Sequence, residues 1–176
     1  PSGEIYNIPF INFIVKQKLP ILISTGTSDM QEIREIIKYL KKKKFSKKKI
    51  TLMQCSSSYP ANEKNANIMV LHEFKKIVPN IGYSDHTLGI ASSIASIING
   101  AKILEKHFTL NSKEAGPDHR MSMEPKNFKN YIKECRAAEH VMGNKIKKVD
   151  SISKLNAIIS RRGIYAKKKI FKGEII

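Results

Sequence analysis

The sequence predicts an α/β fold built on a parallel sheet. Three observations lead there. Short apolar β-type runs alternate with longer helical patterns. A helical pattern separates each consecutive pair of runs, the rhythm of right-handed βα crossovers. Polar residues gather at the C-terminal ends of the predicted strands, where the sites of such sheets assemble. A doubly wound sheet and a β/α barrel both satisfy these observations. A complete barrel needs eight strands and about 250 residues, so 176 residues hold about half of one.

Residues 1–4 read as the end of a preceding strand. The run 20–24, Pro-Ile-Leu-Ile-Ser, is a strand that stops at Thr25-Gly26. Ser28-Asp29-Met30-Gln31 reads as a capping box. It opens a helix whose apolar face is Met30, Ile33, Ile36, Ile37 and Leu40. A second strand covers 50–55, and the loop Ser56-Ser57-Ser58-Tyr59-Pro60 leads to a helix over 66–77. A third strand covers 80–84. The helix over 88–99 carries a small-residue stripe (Ala91, Ser92, Ala95, Ser96) that lets it lie close on a sheet, with Gly100 as its C-terminal cap. A fourth strand covers 101–107, followed by a loop over 111–124 and a helix over 125–142. From 145 the pattern fades into a polar linker. Residues 161–166 begin a β-like segment, and Lys172-Gly173-Glu174 reads as a turn.

Lys and Arg total 32 against 15 Asp and Glu, a formal charge of +17. Such a balance raises a nucleic-acid-binding module as one reading. The distribution argues against it. The densest run, Lys41 to Lys44 with Lys47 to Lys49, follows a helix, where cations suit the helix dipole. No aromatic residues interleave to stack bases, and no zinc-finger or basic-zipper spacing occurs. A basic surface also attracts phosphorylated substrates. The only cysteines, Cys55 and Cys135, exclude a disulfide-stapled mini-domain and fit a reducing, cytoplasmic compartment. Both read as small buried hydrophobes. No apolar run approaches the roughly 18 residues of a membrane span. The chain lacks an initial Met and stops within a β-like run, so it reads as a segment of a longer protein.

The candidate chemistry lies at the strand ends. Glu105 and His107 are two apart and share a face, as do Ser84 and His86. Two histidines ending adjacent parallel strands can meet at one divalent ion and leave open positions for water and substrate. The plainer alternative makes each a hydrogen-bonding group, with Glu105 ion-paired to a neighbouring Lys. Ser24-Thr25-Gly26, ahead of a helix, suits an anion or serves as a simple turn. Gly116-Pro117-Asp118-His119-Arg120 is a tight turn in the loop after the fourth strand. His72 and His140 fall in helices and read as solvated or structural.

Several blocks carry a resemblance. They are Ile81 through Gly89 (Ile-Gly-Tyr-Ser-Asp-His-Thr-Leu-Gly), Ile103 through Thr109, and Gly116 through Arg120. Ser2-Gly3-Glu4, Ile23 through Gly26, and Gln54 through Pro60 precede them in order. The set resembles the sialic acid (N-acetylneuraminate) synthase family and spans nearly the whole chain. The tail from Arg161 to Glu174 resembles the opening of that family's C-terminal SAF, or antifreeze-like, domain.

The resemblance implies a fold and a reaction. The fold is a TIM barrel followed by a small SAF domain, in a homodimer. This chain would supply the C-terminal half of the barrel over 1–144, a linker over 145–160 and the start of the SAF domain over 161–176. The reaction condenses phosphoenolpyruvate with N-acetylmannosamine or a related N-acetylated sugar aldehyde, releases phosphate, and needs Mn2+ or Mg2+. By position, His86 and His107 become metal ligands, and Glu4 and Glu105 handle protons. Ser2, Ser24, Ser57 and Ser84 line the phosphoenolpyruvate site, with Ser57 replaced by Asn in some members. Tyr59 and Asp118 contact the sugar. A legionaminic acid synthase is the alternative within the family. Outside it stand another barrel enzyme, such as a metal hydrolase or another phosphoenolpyruvate aldol synthase, and the nucleic-acid module.

The chain departs from the family pattern in lacking a further Glu, a Lys-x-Gln motif and a Lys ahead of Ser2-Gly3-Glu4, and in carrying Thr27 where many members have Met. The isolated chain is therefore expected to be inactive or poorly folded, because half a barrel leaves two unpaired strand edges.

Overall fold

A computed structural model describes residues 1–175. Ile176, the last residue of the expected SAF segment, lies outside the described residues. The chain divides into two compact units, Pro1–Gly143 and a second from Asn144 onward.

The first unit is a four-stranded parallel sheet with helices. Strands β1 (Ile21–Ser24), β2 (Ile50–Gln54), β3 (Asn80–Asp85) and β4 (Ile103–Lys106) lie side by side in chain order, all parallel. The sequential order is that of a barrel arc. A doubly wound sheet reverses its strand order at a switch point, whereas this one advances by one neighbour at every crossover. It is an arc of a β/α barrel, a half-barrel.

Helices α1 (Ile8–Lys16), α2 (Met30–Lys42), α3 (Val70–Ile77), α4 (Ala91–Ile98) and α5 (Pro125–Met142) belong to this unit. Helix α2 buries Ile33, Ile36, Ile37 and Leu40 in one cluster with Leu52 of β2 and Ile81 of β3. Leu71 and Phe74 of α3 join the same core. Helices α4 and α5 form a second cluster around Ile97, Tyr131, Cys135 and Ala138. Ile36 is 2% exposed, so Ile36→Val is expected to destabilise the unit by about 1 kcal/mol. Urea unfolding of the two proteins checks this.

The sequence reading needs correction at several places. The capping box is Asp29 with Glu32, one residue beyond the expected pair: Glu32 N–H donates to Asp29 at 2.8 Å, and Asp29 N–H donates to Glu32 at 2.9 Å. Residues 1–4 are no strand; Ser2–Glu4 forms a 3-10 turn, and among the described residues no strand lies beside it to accept a ladder. Helix α1 was not anticipated, although Asn7 caps it through the Phe10 N–H and Pro9 stands in its first turn. Helix α3 starts at Val70 rather than 66, because Glu63–Asn65 forms a 3-10 turn and Asn67 holds a positive φ of 44°.

In the second unit, the expected linker contains helix α6 (Ser151–Ser160), capped by Asp150 accepting from the Ser153 N–H. Residues 161–166 form no strand among the described residues. They have no hydrogen-bonded strand partner there, and a lone β-like run without a ladder leaves its backbone to solvent. Among the described residues, no helix is long and apolar enough to cross a membrane.

Candidate active site

All four parallel strands point their C-terminal ends to one side, and the polar strand-end residues meet there. A cavity of about 280 Å3 is lined by Ser2, Ser24, Ser57 and Ser84, and by Tyr59, His86, Glu105 and His107. Cys55 and Thr27 complete much of its wall. Among the described residues two hollows are larger, one of about 470 Å3 beside α5 and one of about 610 Å3 in the second unit. Neither of them gathers these residues.

The strand register builds the centre. Ser84 of β3 stands opposite Glu105 of β4, and the Ser84 hydroxyl donates to the Glu105 carboxylate at 2.6 Å. His86 follows two residues on. Its Nδ1–H donates to the Ser56 carbonyl at 2.5 Å, which leaves the lone pair on Nε2. That Nε2 lies 3.3 Å from the Ser84 oxygen. The Ser84 proton is already given to Glu105, so the imidazole nitrogen receives no proton there.

The His107 ring stands nearly perpendicular to the His86 ring, centroids 5.2 Å apart. Tyr59 packs against both, at 4.4 Å from His86 and 5.7 Å from His107. Burial, followed by the nearby Cys55, Asp118 and Glu105, pushes the Tyr59 phenol up. Tyr59 is thereby a neutral hydrogen-bond donor at neutral pH.

On the β1 side, the Gly26 N–H donates to the Ser2 hydroxyl at 3.0 Å, and Ser2 touches the Cys55 sulfur at 3.4 Å. Gly26 is required by this convergence. A Cβ there would fall 2.5 Å from the Ser57 hydroxyl and 2.9 Å from the Cys55 sulfur. The Thr25 hydroxyl donates to the Met53 carbonyl and ties β1 to β2 beneath the site.

Two expected residues lie outside this lining. The Glu4 carboxylate accepts from the Asn7 side-chain amide at 2.6 Å and borders a separate apolar hollow with Ile11 and Ile14. Asp118 is largely exposed, with its carboxylate 3.8 Å from the His107 Nδ1. His72 and His140 are exposed on their helices, and Cys135 is buried. Cys55 is buried too, but it lies in the cavity wall; its position at the end of a strand was the available signal.

The donor set suits a divalent cation. His86 and His107 offer two imidazoles, and a backbone carbonyl accepting from the far ring nitrogen, as Ser56 does from His86 Nδ1, is the usual outer partner of a metal-bound histidine. Among the described residues, no group of three or more His, Cys, Asp or Glu is placed to hold a metal ion. The pair alone would leave most coordination positions to water, substrate or other parts of the protein.

The family model for the NeuB family matches residues 1–147. The chain belongs to the NeuB family. This NeuB-family chain is 40% identical over 176 residues to the N,N'-diacetyllegionaminic acid synthase of Campylobacter jejuni, covering 99% of the chain and 53% of that protein. It is 31% identical over 177 residues to the human N-acetylneuraminate-9-phosphate synthase, covering 99% of the chain and 48% of that protein. A crystal structure of the N-acetylneuraminic acid synthetase of Leptospira borgpetersenii, in complex with citrate, superposes with a TM-score of 0.78 at 30% identity. That match covers 90% of this chain and 55% of the other. The chain spans about half the length of the curated relatives it matches.

Proposed function

We propose that the polypeptide carrying this NeuB-family chain condenses phosphoenolpyruvate with an N-acetylated sugar aldehyde, forming a nonulosonic acid and releasing phosphate. The observation that carries this reading is the convergence of four serine hydroxyls, two histidines, Tyr59 and Glu105 on one cavity at the strand ends.

Ser2, Ser24, Ser57 and Ser84 line the phosphoenolpyruvate site; the first three donate to its oxygens, while Ser84 gives its proton to Glu105 and holds that carboxylate at the site. His86 and His107 would hold a divalent cation, Mn2+ or Mg2+, which when bound would supply Lewis-acid polarisation of the aldehyde. The enol carbon bonds to the aldehyde carbon, and cationic charge develops at the carbon that bears the phosphate. Water adds to that carbon while Glu105 takes its proton, which passes on to the alkoxide left on the former aldehyde carbon. The carbon–oxygen bond to phosphate then breaks. Tyr59 donates to the sugar, and Asp118 accepts from it. Glu4, whose carboxylate accepts from Asn7 outside the cavity lining, is the second carboxylate proposed to handle protons.

Further parts complete the reading. The rest of the barrel closes against the edges of β1 and β4, which are unpaired among the described residues. Residues 161–176 lead into the SAF domain, and the homodimer brings that domain to the partner's site. Residues 1–176 by themselves are expected to show no turnover. Within the family, the legionaminate branch is favoured by the 40% identity to the Campylobacter jejuni enzyme against 31% to the human one.

The test supplies the full polypeptide with phosphoenolpyruvate, Mn2+ and one of two aldehydes, N-acetylmannosamine or the diacetylated bacillosamine-derived sugar. Mass spectrometry then identifies the product. A nine-carbon acid from the diacetylated sugar supports the legionaminate branch, and one from N-acetylmannosamine the neuraminate branch. No sugar acid from either removes the synthase reading.

A further inference from the structure

Next to each proposed metal ligand stands a buried charge of opposite sign. Asp85 precedes His86, and Lys106 precedes His107. The two are register partners across β3 and β4. Their charged atoms meet at 3.1 Å, with side chains 0% and 2% exposed. Strand alternation puts them on the helix side of the sheet, opposite the face of Ser84 and Glu105.

Both groups are fully engaged. One Asp85 oxygen accepts from the Thr87 N–H at 2.9 Å and from the Thr87 hydroxyl at 2.7 Å. The other accepts from the Ser93 hydroxyl at 2.6 Å, and Ser93 in turn meets the Tyr131 hydroxyl of α5 at 2.7 Å. The Lys106 ammonium also donates to the carbonyls of Thr87 and Gly89. Residues on both sides of His86 are therefore anchored to one ammonium, and that ammonium belongs to the residue before His107.

A buried ion pair is weak as a source of stability, because desolvation offsets most of its attraction. Its best-supported use is to fix one arrangement among several. We propose that the Asp85–Lys106 pair is a positioning element that sets the separation of His86 and His107. It touches neither substrate nor cation and acts through the backbone of the two strand ends. The inference rests on the reading of the two histidines as a metal pair.

The test is Mn2+ binding to the metal-free full polypeptide, followed by the electron paramagnetic resonance signal of free Mn2+. The variant combines Asp85→Asn with Lys106→Met, which removes both charges and keeps an acceptor for Thr87. The expected result is a dissociation constant raised about 10–100-fold, with near-UV circular dichroism and thermal midpoint close to those of the wild type. A second variant, Asp85→Asn with Lys106→Gln, retains a donor for the Thr87 carbonyl and decides the matter if the first does not fold. Unchanged Mn2+ affinity in a folded variant overturns the positioning role alone. Loss of fold in both variants also overturns it, since the pair would then be a determinant of folding. A wild-type protein that binds no Mn2+ overturns the metal pair itself, and the inference with it.

Discussion

His86→Ala and His107→Ala, each made in the full polypeptide, are expected to abolish tight Mn2+ binding and to lower sugar-dependent phosphate release on the order of 10^3-fold. A cation acting as a Lewis acid supplies several kcal/mol of transition-state stabilisation, and each 1.36 kcal/mol is about tenfold in rate. Two imidazoles at 5.2 Å are the nitrogen donors lining the cavity. Removing either leaves one, which is too few to retain the ion against water. The fold should survive the change, because the His86 ring borders an open cavity rather than the core beneath the helices. Phosphate release and calorimetric Mn2+ titration check the two parts separately. Full turnover in either variant contradicts the assignment.

Gly82→Val is expected to have the largest effect on stability, about 3 kcal/mol or more by overpacking. Gly82 sits in the middle of the sheet, paired with Met53 of β2 and Ile103 of β4. A Cβ there would fall 2.2 Å from the Met53 sulfur and 2.8 Å from the Ile103 carbonyl oxygen. Met53 is fully buried and has little room to move, and the carbonyl belongs to backbone. A branched side chain must push β3 and β4 apart two residues below the Ser84–Glu105 hydrogen bond. The variant should therefore unfold at lower urea concentration. What remains folded should bind Mn2+ more weakly, because the histidines end the same two strands. Wild-type stability in urea would show that the sheet accommodates the side chain and would refute the close-packing argument.

The strands and the long helices are legible in the sequence because each buries one recognisable face. Helix α5 runs from Pro125 to Met142 in both the reading and the structure. Helix α1 escaped because its apolar residues run almost without interruption, from Ile8 to Val15, and mask the helical period. Helix α6 escaped because it buries nothing among the described residues, so no apolar face marks it. In the site, strand parity alone pairs Ser84 with His86 and Glu105 with His107. The Asp85–Lys106 pair was illegible. Its partners lie 21 residues apart, and only the β3–β4 register brings them together. The same holds for Gly26, whose neighbours come from two other segments, Ser2 from the N-terminal turn and Cys55 and Ser57 from the stretch after β2. The engagement of Glu4 by Asn7 is local, three residues along the chain, but it depends on a turn where a strand was expected.

The most direct test of the central claim uses phosphoenolpyruvate labelled with 18O at the oxygen that bridges carbon and phosphorus. The full polypeptide is incubated with this substrate, Mn2+ and the accepted sugar aldehyde, and the released phosphate is weighed by mass spectrometry. The account predicts phosphate that carries the label and forms only when the aldehyde is present, because condensation precedes cleavage of the carbon–oxygen bond. Unlabelled phosphate would mean attack at phosphorus, and the site would be that of a hydrolase; labelled phosphate released without any aldehyde would mean that cleavage does not follow condensation, which also contradicts the account.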